Sequence, residues 1–150
     1  MIDSSWVTRP VLRVRSAFRV AFTEDHPPQW VASSFAFGIF VTALPTLGAG
    51  LPVLAWASHR FVWANKVAFV AAVAVLNPLV KGGVYAGSLL IGIQLLGPVP
   101  GPGHVEIGLD AGTDVLVRLL VGNVILALGL TVVGYAVAYR TAHAVGRKRA

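Results

Sequence analysis

The chain has 150 residues, 56% of them hydrophobic and 12% charged, with a formal net charge of +6 and a mean hydropathy of +0.75. Soluble domains carry about 25% charged residues, so the composition argues against a water-soluble fold. The continuous apolar runs argue equally against a barrel of short alternating strands, and the absence of cysteine removes disulfides and thiolate chemistry.

The expected fold is all-α: a polytopic helical membrane protein with an N-terminal amphipathic helix, two Pro/Gly-broken helical repeats and a C-terminal transmembrane helix. The first unit is 1–29. Between Thr8 and Thr23, Val11, Val14, Phe18, Ala21 and Phe22 recur at helical spacing, with Arg9, Arg13, Arg15 and Arg19 between them. Such a helix lies on the membrane surface, each cation gaining about 1 kcal/mol from anionic lipid headgroups. No cleavable leader is expected, because the first apolar run begins only near Trp30 and no small-residue cleavage pattern follows a short core.

The second unit, 30–97, is expected to form the core. Trp30 to Leu44 is short of the roughly 20 residues that a full span needs, and Leu51 to Val62 is shorter still. The pair suits a hairpin, either re-entrant or crossing steeply. His59, Arg60 and Lys66 around Phe61 and Trp63 mark the inner interface. Val67 to Leu76 enters again and is interrupted by Asn77-Pro78. Asn is a good N-cap and Pro suits the first helical position, so a new helix should start there and run to Leu96.

The interruptions correspond. Pro45-Thr46-Leu47-Gly48-Ala49-Gly50-Leu51-Pro52 follows the first run, Asn77-Pro78-Leu79-Val80-Lys81-Gly82-Gly83 the second, and Pro45 falls on Pro78 and Gly50 on Gly83 at one constant offset. A broken helix in lipid frees backbone groups that only protein or a watery cavity can satisfy. Paired breaks in two repeats point to a binding site at mid-membrane. Pro45, Gly48, Gly50, Pro52 and Pro78 are the break residues. Thr46, Asn77, Lys81, Gly82 and Gly83 are the candidate ligands for an anion at the new helix N-termini. A cation at bilayer depth reads by default as functional. The alternative is a pair of tight turns, with Lys81 snorkelling to an interface.

Gly83, Gly87 and Gly92, with Ser88, form a small-residue stripe that includes a GxxxG spacing. Such a stripe lets helices approach closely, either within the chain or in a homo-oligomer. Residues 98–114 follow as a Gly/Pro loop with Glu106, Asp110 and Asp114 and no Lys or Arg, then a transmembrane helix at 115–139 and a basic tail at 140–150. In that helix Arg118 should reach the outer headgroups, and Asn123 should bond across to another helix. The charge asymmetry puts both termini in the cytoplasm and the acidic loop outside a cell (inner or plasma) membrane.

No enzyme is expected. Asp3, Glu24, Asp25, Glu106, Asp110 and Asp114 all lie outside the predicted spans, and the histidines at 26, 59, 104 and 143 are scattered. His104 and Glu106 alone are too few for a metal site, and neither glycine turn matches a nucleotide-binding loop. No cofactor, metal or nucleic-acid partner is expected. Two functions fit: a transporter or lipid-handling protein that binds an anionic group at its breaks, or a structural scaffold that oligomerises and recruits partners.

Phe37-Gly38-Ile39-Phe40 leading to Leu44-Pro45, a Gly-rich turn, Asn65, Asn77-Pro78, Tyr85 and Gly87 resemble the domain-of-unknown-function family 2062, over about Pro27 to Gly92. The resemblance implies a small prokaryotic integral membrane protein in which both breaks matter. Some members are joined to, or neighbour, glycosyltransferase-like proteins. It supplies no catalytic residue. Where the family commonly has Thr and further prolines after Asn-Pro, this chain has Leu79-Val80-Lys81.

Overall fold

The computed structural model describes residues 26–99 and 109–148. The expected amphipathic helix with Arg9, Arg13, Arg15 and Arg19, and the loop residues His104 and Glu106, lie outside the described residues. Every regular element among the described residues is helical: α1 (Pro28–Ala43), α2 (Gly50–Arg60), α3 (Lys66–Val75), α4 (Pro78–Leu96) and α5 (Leu109–Arg147).

Local chemistry sets the boundaries. Pro28 opens α1, and Leu44 at its end is extended, as a residue before proline prefers. Asn65 caps α3 by accepting a bond from the Ala68 N–H at 2.9 Å. Asn77 caps α4 by accepting from Leu79 and Val80 at 3.0 and 3.1 Å. Gly97, at φ 83°, ends α4. α5 has 39 residues, well beyond the span expected at 115–139. Loss of apolar character past Tyr139 ends a membrane span but not a helix, since Ala142, Ala144 and Arg147 are strong helix formers.

α1 lies between α3 and α5. Ser34 meets Trp63 and Asn65, and Gly38 faces Phe69 and Ala72, so α1 and α3 run side by side in the same sense. Ala43 meets Asn123, and Phe35 and Ile39 meet Gly134, so α5 runs opposite to α1. α4 pairs with α5, also antiparallel: Gly92 lies on the backbone of Arg118 and Gly122 on that of Ser88. Val31, Ala32, Phe35, Ile39, Ala68, Ala72 and Ala127 form the main core.

The two turns do different things. After α1 the chain reverses: Gly50 returns beside Val41 and Trp63 beside Phe37, so α1 and α2 make a hairpin. After α3 it continues in the same sense into α4. The matching offset in the sequence is therefore not matched by one repeated geometry.

Ser34, fully buried, ties the turn after α2 to α1. Its Oγ donates to the Trp63 carbonyl at 3.1 Å and accepts the Asn65 N–H at 2.8 Å. Ser34→Ala leaves both groups unpaired and is expected to cost about 1–3 kcal/mol in detergent-solubilised unfolding. Ser58→Ala, which removes only a local bond to Ala55, should stay within about 0.5 kcal/mol. Equal losses would show that the staple contributes nothing.

Two helical stretches, Pro78–Leu96 and Gly112–Arg147, are long and apolar enough to cross a membrane, and only 17% and 22% of their apolar windows are buried inside the protein. Leu79, Leu90, Leu95, Val132, Val133 and Val137 point outward.

Candidate functional site

The turn after α1 and the junction of α3 with α4 share one cavity of about 230 Å³, lined among others by Thr42, Thr46, Gly50, Asn77 and Lys81. The Thr46 N–H donates to the Leu44 carbonyl at 2.8 Å, and the Thr46 carbonyl accepts the Ala49 N–H at 2.9 Å. Leu47 and Gly48 then adopt φ of 50° and 95°. Gly48 does so without cost, whereas a leucine there holds backbone strain. The Leu47 side chain stands fully exposed at the turn's tip. Gly50 packs closely: a Cβ there would sit 3.1 Å from the Thr46 hydroxyl, which would have to shift by a few tenths of an ångström.

The polar groups of this cavity are unevenly satisfied. Asn77 accepts from the Leu79 and Val80 amides, and the Lys81 N–H bonds the Asn77 carbonyl at 2.9 Å. The amino end of α4 is therefore already capped, which corrects the expectation of free N–H groups there: the asparagine that starts the helix also consumes its donors. α2 differs, because no side chain caps it at Ala49. Thr42 is only 8% exposed, and its hydroxyl has no hydrogen-bond partner. A buried hydroxyl left unpaired costs free energy. Lys81 is half-buried, and no ion pair involves its ammonium among the described residues.

The predicted residues thus divide. Thr46, Asn77 and Lys81 come together around the cavity with Gly48, Gly50 and Pro78. Gly82 and Gly83 face open space, because they lie on the outer side of the first turns of α4. Of the small-residue stripe, Gly87 is in ordinary contact with Leu126 and Gly92 lies against the Arg118 backbone, both on α5 of the same chain. Thr42 was not singled out by the sequence, where one threonine near the end of an apolar helix carries no signal.

Two further polar groups hold the site in place. The Asn123 side chain donates to the Ala43 carbonyl at 3.1 Å and to the Ser88 hydroxyl at 3.3 Å, latching the end of α1 to α4 and α5. Arg118 closes the far end of α4: Nε donates to the Gly97 carbonyl at 2.9 Å, and the terminal nitrogens reach the Pro98 and Asp114 carbonyls at 3.2 and 3.0 Å. Helix ends leave their last carbonyls unpaired, and a cation there also suits the helix dipole. Among the described residues no group of three His, Asp or Glu is placed to hold a metal ion.

Among the described residues these features define a helical protein with two membrane-length apolar helices and a cavity that Lys81 lines, between the turn after α1 and the start of α4. Residues 13–150 match the family described as "Uncharacterized protein conserved in bacteria (DUF2062)", and the chain belongs to that family. Neither a curated protein nor a solved structure matches it.

Proposed function

We propose that this is an integral membrane protein that handles an anionic solute or lipid by binding its phosphate or carboxylate in the cavity between the two turns. The observation that carries this reading is the donor set: the Lys81 ammonium, the unpaired Thr42 hydroxyl, the Thr46 hydroxyl and the uncapped start of α2 converge on one small space. One cation and two hydroxyls able to donate, with no carboxylate among the residues that line the cavity, favour an anion. The outward apolar faces of α4 and α5 support the membrane setting, since monomeric soluble proteins rarely expose so much contiguous apolar surface. In this reading α1 and α2 form a hairpin entering from the basic side, and α3 with α4, and then α5, cross. α5, with 39 residues, is about 58 Å long and outruns a hydrocarbon core of about 30 Å. Arg140 and Arg147 then stand beyond the cytoplasmic face. The scaffold alternative finds less support, because Gly87 and Gly92 already face α5 within the chain.

The test is inorganic phosphate titrated against the purified protein in neutral detergent. The parent should unfold at a rising midpoint, with a gain of about 2.7 kcal/mol at a hundredfold excess over Kd. Lys81→Met should lose that gain while keeping the basal midpoint, because the ammonium makes no ion pair among the described residues. A variant that still gains as the parent does would refute the site.

A further inference from the structure

Charge is divided between the two ends of the fold. Among the described residues the only acids, Asp110 and Asp114, stand at the start of α5. The opposite end presents Arg60, Lys66, Arg140, Arg147 and Lys148, all exposed, and none of them has an ion pair among the described residues. Packing brings these cations, far apart in sequence, to one level. Ser34 of α1 binds the Trp63 carbonyl and the Asn65 N–H, so the turn between Arg60 and Lys66 is held beside Ser34. The next residue, Phe35, meets Gly134 of α5, and Tyr139 packs on the core cluster that includes Val31. Aromatic rings mark this level on both sides. Phe61 lies 5.7 Å from Trp56 and 5.5 Å from Trp63, and Tyr135 stacks on Tyr139 at 6.1 Å. Trp and Tyr gather where hydrocarbon gives way to headgroups, and Arg140 follows Tyr139 directly. We infer that this basic end is a binding surface for the headgroups of anionic phospholipids, made by the α2–α3 turn and the end of α5 together; this rests on the membrane setting proposed above but not on the anion cavity.

Depth and charge select the occupant. The headgroup layer adds about 5–8 Å to each side of the hydrocarbon. α5 rises roughly 1.5 Å per residue, so beyond Tyr139 the helix enters that layer at Arg140 and leaves it near Ala144. A depression of about 360 Å³ lies there, lined by Arg140, Thr141, Ala144, Val145 and Lys148. Lys148 stands just past the layer, within reach of it through a long stem. A zwitterionic headgroup carries its own cation to such a place, whereas an anionic one meets the protein's charge unopposed. A soluble acidic partner would have to displace lipid to reach Arg60, Lys66 and Arg140 at the level of the aromatic rings.

The experiment reconstitutes the full chain into phosphatidylcholine vesicles that contain dibrominated phosphatidylglycerol or dibrominated phosphatidylcholine, and follows quenching of tryptophan emission. Trp56 and Trp63 report from the surface itself. The parent should prefer phosphatidylglycerol about fivefold, the attraction of one surface cation per headgroup. Salt at about 1 M shortens the screening length to about 3 Å and should remove most of that preference without any substitution, which keeps the test intact if a variant fails to insert. Arg60→Gln, Lys66→Gln and Arg140→Gln combined should abolish it. Arg60→Lys with Arg140→Lys should keep it, and so should Lys81→Met. Equal quenching by the two lipids in the parent, or a preference unchanged by salt or by the triple substitution, overturns the inference and leaves the anion cavity standing. Loss of the preference in Lys81→Met would seat the headgroup in the cavity and would also overturn it.

Discussion

Gly122→Ala is expected to destabilise the protein by about 3 kcal/mol, the upper end of what overpacking usually costs, and to pull α4 away from α5. The added methyl group has no room: a Cβ at Gly122 would overlap the Ser88 carbonyl, and one at Gly92 would overlap the carbonyl of Arg118. In both cases the obstacle is backbone, which cannot rotate aside as a side chain can. The helices would have to separate along the whole contact. That would also break the Asn123 bond to Ser88, which is 3.3 Å long. Gly129, in the same helix, has nothing within 4 Å of a would-be Cβ, so Gly129→Ala should be neutral or slightly stabilising through helix propensity. Unfolding by a denaturing detergent, followed by helicity, distinguishes the two. Equal behaviour of Gly122→Ala and Gly129→Ala would mean that close helix approach is not what the glycine supplies.

Arg118→Ala should cost about 2–3 kcal/mol, because hydrogen bonds to a charged group carry more than neutral ones and the carbonyls left behind are partly buried. The side chain is 11% exposed and spans from its own helix to the end of α4. Arg118→Lys should recover less than half of that. An ammonium is a point charge on a flexible stem, whereas the guanidinium fork addresses several carbonyls at once. The ion pair with Asp114, at 3.6 Å with a half-exposed partner, contributes little, so Asp114→Asn should change stability by about 0.5 kcal/mol or less. Full rescue by lysine in the same unfolding assay would show that charge alone holds the end of α4.

Punctuation residues were the legible part of this sequence. Asn77-Pro78 states a helix start in its own chemistry, and the helix begins at Pro78 with Asn77 as its cap. Pro45 and Gly48 likewise announce the turn before α2. Those signals are local, because φ restriction, missing N–H groups and side-chain caps act within a few residues. The direction of the chain after each turn is not local. Pro45–Pro52 reverses it and Asn77-Pro78 does not, although the two segments align residue for residue in part. The outcome depends on what α1 and α3 each find to lean on. The buried polar pairs were hidden for the same reason: Ser34 meets Asn65, and Asn123 meets Ala43, only after the helices assemble. Thr42, and the bonds of Arg118 to the end of α4, needed the assembled neighbours before they could be read. Of the candidate site, the polar residues at the turns were visible, whereas the capping of α4 by its own asparagine leaves the start of α2, and not that of α4, without a side-chain cap.

The principal packing partner of α4 is α5, and α5 is also the long-range partner of α1. The described helix made last therefore ties together pieces made earlier. During synthesis, α1 to α3 can fold on one another, while α4 must wait beside them with its close-packing glycine face, Gly92 included, uncovered until α5 arrives. A chain that ends before Leu109 would leave that face of α4 without its packing partner.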